Sequence, residues 1–212
     1  MSNFQPTRID RFPPIIKNLI IINILAWIAQ LTLDSQYQIT LRGALWPVNT
    51  PMFKPYQVFT NMFLHAPSFG MFFHILFNMF ALFMFGRVLE NVWGAKRFLI
   101  YYLVCGIGAS VTHLAMQYFM GGFSFAIGAS GAVMGVLVAF AYLFPNTELI
   151  IIPIPFPVKA KWAVLAFVLI DLFGGFGQIQ GDNIGHFAHL GGALTGFIIV
   201  MIWNKTNRKT LY

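Results

Sequence analysis

Ser130 sits in Gly128-Ala129-Ser130-Gly131, where a glycine-rich stretch gives way to an apolar run. A helix that begins there offers unpaired N–H groups and the positive end of the backbone dipole. That is where a developing oxyanion would be stabilised. A serine hydroxyl at such a point becomes a nucleophile when a base lies within reach. The plainer reading is close packing: Gly128, Gly131 and Gly135 form a small-residue face, and Ser130 is an N-cap.

The candidate base is His189, in His186-Phe187-Ala188-His189-Leu190-Gly191-Gly192. A histidine in an apolar span is costly and needs a polar partner. Gly192 and Gly196 form a G-x-x-x-G face just beyond it, which lets a second helix approach closely. The Gly131 and Gly135 face is its natural mate, and that contact would bring His189 beside Ser130. His186, one turn earlier, is the competing base, further toward the outer surface. His74 and Asn78 stand at i and i+4 and share a helix face. They either donate hydrogen bonds to a negative oxygen or join helices as a polar pair.

The elements that position these residues follow from composition. The chain has 212 residues, 58% of them hydrophobic and only 9% charged, against about 25% charged in an average soluble domain. The apolar residues come in long runs, which predict six membrane helices near 15–33, 70–89, 98–119, 130–144, 161–173 and 187–203. The expected fold is an all-α polytopic membrane protein. Residues 1–14 form an N-terminal cytoplasmic tail, 15–203 the six-span unit and 204–212 a basic cytoplasmic tail. The first apolar run lacks a small-residue cleavage site and reads as a retained span.

A net charge of +7 would raise nucleic acid as a partner in a soluble chain. Here the basic residues flank apolar runs. Eleven of the thirteen fall on one side of a six-span topology, with Arg42 and Lys54 alone on the other. That asymmetry puts both termini in the cytoplasm and suits a bacterial inner membrane. Membrane lipid, not nucleic acid, is the expected surroundings. Cys105 has no partner cysteine and reads as a small buried hydrophobe.

Residues 34–69 are long for a bundle loop and rich in aromatic residues and proline, which predicts short helices at the interface. The fourth span is short, so its outer end should start below the membrane surface, reached through the glycines at 121, 122 and 128. In this topology spans two, four and six carry His74, Asn78, Ser130 and His189 to similar depth on the outer side. Together they supply nucleophile, base and oxyanion donors, which acyl transfer requires. No acidic residue is evidently placed to orient His189. Asp171, near the outer end of span five, could be proposed for that role but reads first as a helix-interface or cavity residue, so the simplest site is a dyad. A zinc site of His74, His186 and His189 is disfavoured by the absence of H-E-x-x-H spacing, and neither metal nor cofactor is expected.

This set of residues resembles the rhomboid family of intramembrane serine proteases. The family's G-x-S-G is matched by Gly128 to Gly131, its A-H-x-x-G-x-x-x-G by Ala188, His189, Gly192 and Gly196, and its H-x-x-x-N by His74 and Asn78. Its G-x-x-x-E-x-x-x-G is matched by Gly86, Glu90 and Gly94. The resemblance selects His189 over His186. It implies a six-helix core in which Ser130 attacks and His189 takes the proton. Asn78, His74 and the Ser130 N–H would hold the oxyanion. Single-span membrane proteins would be cut near the outer face, entering between spans two and five. Gly128, Gly131, Gly135, Gly192, Gly196 and Glu90 would support the site. Two positions depart from the family. Its Trp-Arg pair before the second span is matched by Tyr56-Gln57, which lacks a charged donor. The aromatic residue four after the serine is Met134, which still packs against a ring. The rival readings are a non-catalytic relative that binds membrane clients, and an unrelated transporter or channel.

Overall fold

The computed structural model describes residues 10–121, 124–151, 155–177 and 185–206. The terminal tails expected before Asp10 and beyond Thr206, and Gly122, lie outside the described residues. The long helices are α1 (Pro14–Tyr37), the continuous run Phe69–Trp93, α6 (Ala95–Met120) and α9 (His186–Thr206). Between them lie α2 (Ile39–Gly43) and α3 (Gln57–Thr60), then α7 (Ser130–Leu143) and α8 (Ala160–Gly177). The chain is therefore an all-α polytopic membrane protein, with six major helices among the described residues, as the apolar runs predict.

In α1, proline at the first turn suits a start where the N–H has no helical partner. The buried residues Ile16, Leu19, Asn23, Trp27 and Gln30 recur every three or four positions and form one stripe. Ile21, Ile22, Leu25 and Ile28 are exposed on the other side, where lipid tails solvate them.

Phe69–Trp93 is longer than the 70–89 expected. It comprises a 3-10 turn, α4 (Phe72–Ala81), a π-helical turn at Leu82–Gly86 and α5 (Arg87–Trp93). The π turn shifts the helix register between His74 and Asn78 toward one end of the run and Glu90 toward the other. The Glu90 carboxylate is buried and accepts the backbone N–H groups of Ile15 and Ile16 at 3.0 and 2.9 Å. It thereby caps the start of α1 from a neighbouring helix.

Helix α7 has 14 residues, which reach about 21 Å at a helical rise of ~1.5 Å per residue. It is buried along most of its length and packs against α6, α9, α8 and α4. That burial against neighbouring helices suits a helix too short to cross a hydrocarbon core of about 30 Å. Residues Glu148–Leu149 and Val158–Lys159 pair as a two-residue antiparallel hairpin, a small addition to an otherwise helical fold. The sequence between the two strands carries prolines at 153, 155 and 157, which oppose a continued helix.

The segment 34–69 contains short helices and is cross-tied at Gln57. This side chain is 1% exposed. Its Oε1 accepts from the N–H of Trp46 and Lys54 at 3.3 and 3.1 Å, and its Nε2 donates to the carbonyls of Arg42 and Met52 at 3.1 and 3.0 Å. The position that lacks the family's charged donor thus anchors the loop through a neutral amide whose donors and acceptor are satisfied. Gln30 and Trp27 of α1 bind the far end, through the His65 N–H at 3.0 Å and the Ala66 carbonyl at 3.0 Å.

Candidate active site

The loop before Ser130 is held from outside. Leu45 and Ala126 exchange both backbone hydrogen bonds, at 2.9 and 3.0 Å, and the Gly128 N–H donates to the Asn61 carbonyl at 3.0 Å. Trp46 packs on Phe125 with ring centroids 5.0 Å apart. Segment 34–69 is therefore a scaffold for the loop that ends at the serine. Gly128 has φ +133, a conformation that side-chain-bearing residues rarely adopt. The point where its Cβ would lie is 3.2 Å from His74 Nε2 and 3.5 Å from Ser130 Oγ. The missing side chain leaves a small space flanked by the hydroxyl and the imidazole.

Ser130 opens α7, half-buried, and no cap bond forms from the preceding Ala129 side chain. The N–H groups of the first turn have no partner inside their own helix. The glycine faces of α7 and α9 meet. A Cβ on Gly192 would collide with the Gly131 carbonyl oxygen, and one on Gly135 would lie 3.1 Å from the Gly192 carbonyl oxygen. A Cβ on Gly196 would stand 2.9 Å from the Gly135 Cα. The backbones touch because none of these residues carries a side chain. Gly131 also approaches the Ala188 carbonyl, 3.2 Å from its would-be Cβ. The residues adjoining Ser130 and His189 are therefore in direct contact. Tyr101 of α6 braces the seam with a hydrogen bond to the Gly135 carbonyl at 2.7 Å. Cys105 is a buried free thiol whose sulfur lies 2.7 Å from the same would-be Cβ of Gly135.

The two oxyanion candidates on α4 are differently disposed. Asn78 is buried, and its Nδ2 donates to the His74 carbonyl at 2.9 Å. An amide nitrogen carries a second hydrogen, so one donor is left for another acceptor. His74 packs edge-on against His65, with ring centroids 5.2 Å apart. Its Nδ1 has no hydrogen-bond partner among the described residues. Met134 is buried on α7.

Asp171, read first as a helix-interface or cavity residue, reaches His189. Its Oδ1 lies 2.9 Å from His189 Nδ1 and 2.8 Å from His186 Nδ1. The two histidines, read as competitors, share one carboxylate oxygen. The signal available in sequence was an acid inside an apolar helix, which needs a partner at that depth. A separation of 18 residues between Asp171 and His189 hides the pairing.

A helical membrane bundle with a serine at a helix start and a histidine on the facing helix defines a class of integral membrane proteins. Residues 52–205 match the Rhomboid domain, and the chain belongs to the rhomboid family. It is similar to rhomboid protein 1, mitochondrial, of Saccharomyces cerevisiae: 34% identical over 143 residues, covering 65% of this chain and 40% of that protein. The human presenilin-associated rhomboid-like protein, mitochondrial, is 34% identical over 146 residues, covering 66% and 37%. Rhomboid protease AarA of Providencia stuartii is 29% identical over 180 residues, covering 77% and 57%. The chain thus spans about two fifths of the mitochondrial relatives' length and somewhat over half of AarA.

Proposed function

We propose that this protein is an intramembrane serine endopeptidase, with Ser130 as nucleophile and His189 as general base. The observation that carries the reading is the backbone contact between Gly131 and Gly192, one residue beyond Ser130 and three beyond His189. Membership of a family with a relative named a rhomboid protease supports it.

Ser130 Oγ attacks the scissile carbonyl carbon and its proton passes to His189. The carbonyl oxygen gains the negative charge and is held by the Ser130 N–H, His74 and Asn78. Collapse of the tetrahedral intermediate breaks the C–N bond, and His189 returns the proton to the departing amine. Water then attacks the acyl-enzyme by the same route and releases the acid. The substrates are single-span membrane proteins cut near the outer face. A helical peptide bond is shielded by its own turn, so small or helix-weakening residues at the cut permit the unwinding that attack requires. The basic residues support an orientation with both termini cytoplasmic in a bacterial inner membrane, with lipid and no nucleic acid as surroundings.

The test is cleavage of a single-span model substrate by purified protein in detergent and in lipid. Ser130→Ala and His189→Ala should each lower the rate at least about 10⁴-fold. Cleavage that survives Ser130→Ala removes the mechanism. Folded wild type that cuts none of several substrates with small residues near the outer face supports the rival reading, a rhomboid relative that binds clients without cleaving them.

A further inference from the structure

Asp171 is 5% exposed, on α8. Its Oδ1 meets the Nδ1 of both His186 and His189, at 2.8 and 2.9 Å. An ionised carboxylate only accepts hydrogen bonds, so each Nδ1 that binds it must donate. A neutral imidazole that donates through Nδ1 carries its lone pair on Nε2. One oxygen therefore sets the tautomer of two rings.

The rings differ in what their far edges face. A Cβ on Gly174 of α8 would collide with His186 Nε2 and Cε1 and lie 2.9 Å from its Cδ2. The His186 ring thus rests edge-on against the α8 backbone, in a place only glycine leaves open. A Cβ on Gly175 would sit 3.0 Å from the Phe187 ring. The Gly174-Gly175 pair lets the first turn of α9 close on α8, which keeps Asp171 within reach of both histidines. His189 stands one turn before Gly192, whose Cβ would collide with the Gly131 carbonyl oxygen, so it belongs to the side of α9 that meets α7.

We propose that Asp171 is a positioning residue that holds His189 as the Nδ1–H tautomer with Nε2 toward Ser130, while His186, clamped by the same oxygen, fixes the carboxylate in place. The direction of proton transfer rests on the peptidase reading. The tautomer assignment stands apart from it.

Two measurements on the full chain in detergent decide the matter. The first is kcat and KM for a single-span model substrate with Asp171→Asn and Asp171→Glu. The second is the ¹⁵N resonances of the histidine rings, assigned with His186→Gln and His189→Gln. Asp171→Asn keeps shape and removes charge. It should lower kcat by about 10²–10⁴-fold, the scale at which a wrong tautomer disables a base, with KM within about threefold. Asp171→Glu should recover part of the loss. Wild type should show protonated Nδ1 at both rings, and Asp171→Asn should show a mixed state at His189. A kcat for Asp171→Asn within about threefold of wild type overturns the proposal, as does a wild-type His189 protonated at Nε2. If wild type cuts nothing, the peptidase reading falls. Protonated Nδ1 that depends on Asp171 still upholds the clamp.

Discussion

Glu90 on the second membrane helix accepts the N–H of Ile16 at 2.9 Å and that of Ile15 at 3.0 Å, so the first helix is capped by a side chain 74 residues away. Removing the acceptor leaves two donors at a helix start without it, one buried and one half-buried. Hydrogen bonds to a charged group contribute about 1.5–3 kcal/mol each, so Glu90→Ala should destabilise the protein by roughly 3–6 kcal/mol. Glu90→Gln, which keeps one acceptor oxygen, should cost less. Thermal unfolding in detergent checks this. The expected signature is a lowered Tm with cleavage per folded molecule preserved.

Gly192 faces the Gly131 carbonyl with no room for a methyl group. Gly192→Ala must push α7 and α9 apart at the level of Ser130 and His189. Overpacking of this kind costs about 1–3 kcal/mol, and the loss of cleavage should exceed what that unfolding explains. Gly70→Ala is the control, since its Cβ would meet only Ser68 Oγ at 3.5 Å. Near-normal cleavage by Gly192→Ala would show that the seam does not set the site.

Gln57 satisfies two N–H groups and two carbonyls inside segment 34–69. Gln57→Ala strands all four, at a cost of about 2 kcal/mol or more, since each buried unsatisfied group carries about 1–3 kcal/mol. Gln57→Glu retains the acceptors and loses both donors to the Arg42 and Met52 carbonyls. Limited proteolysis between Asp34 and Phe69 should speed up in both variants.

His65 lies ahead of the second span, where burial first, and the neighbouring His74 second, push its pKa from 6.5 down to about 3 against an opposing backbone contact from Phe63. The folded protein therefore keeps this ring neutral where the unfolded chain protonates it. Its contribution to stability is present above pH 6.5 and is lost as pH falls from there toward about 3. The slope is about 1.4 kcal/mol per pH unit for one proton. Tm between pH 7 and pH 5 should fall less steeply in His65→Gln. An unchanged slope would assign acid sensitivity to other groups.

What sequence makes legible here is local or periodic. Apolar runs predict the helices because lipid demands internal backbone hydrogen bonding. Gly131 and Gly135 against Gly192 and Gly196 form the faces that touch, because a missing Cβ is a property of each residue alone. The spans move at their ends: Phe69–Trp93 and Ala160–Gly177 run past the expected limits, since burial against neighbours decides where a helix frays. The π turn at Leu82–Gly86 leaves no periodic trace to read.

By itself, sequence determined that this is a membrane bundle with serine, histidine and amide groups on its spans, through hydropathy and spacing. Only the tertiary structure decided what those groups meet. Asp171 reads as an isolated acid along the chain and becomes the shared acceptor of His186 and His189 because α8 and α9 close over Gly174 and Gly175. Gln57 reads as the loss of a charge and becomes a cross-tie because the loop folds four backbone groups around it. Hydrogen-bond partners are chosen by distance in space, and residues far apart in sequence carry no record of that distance.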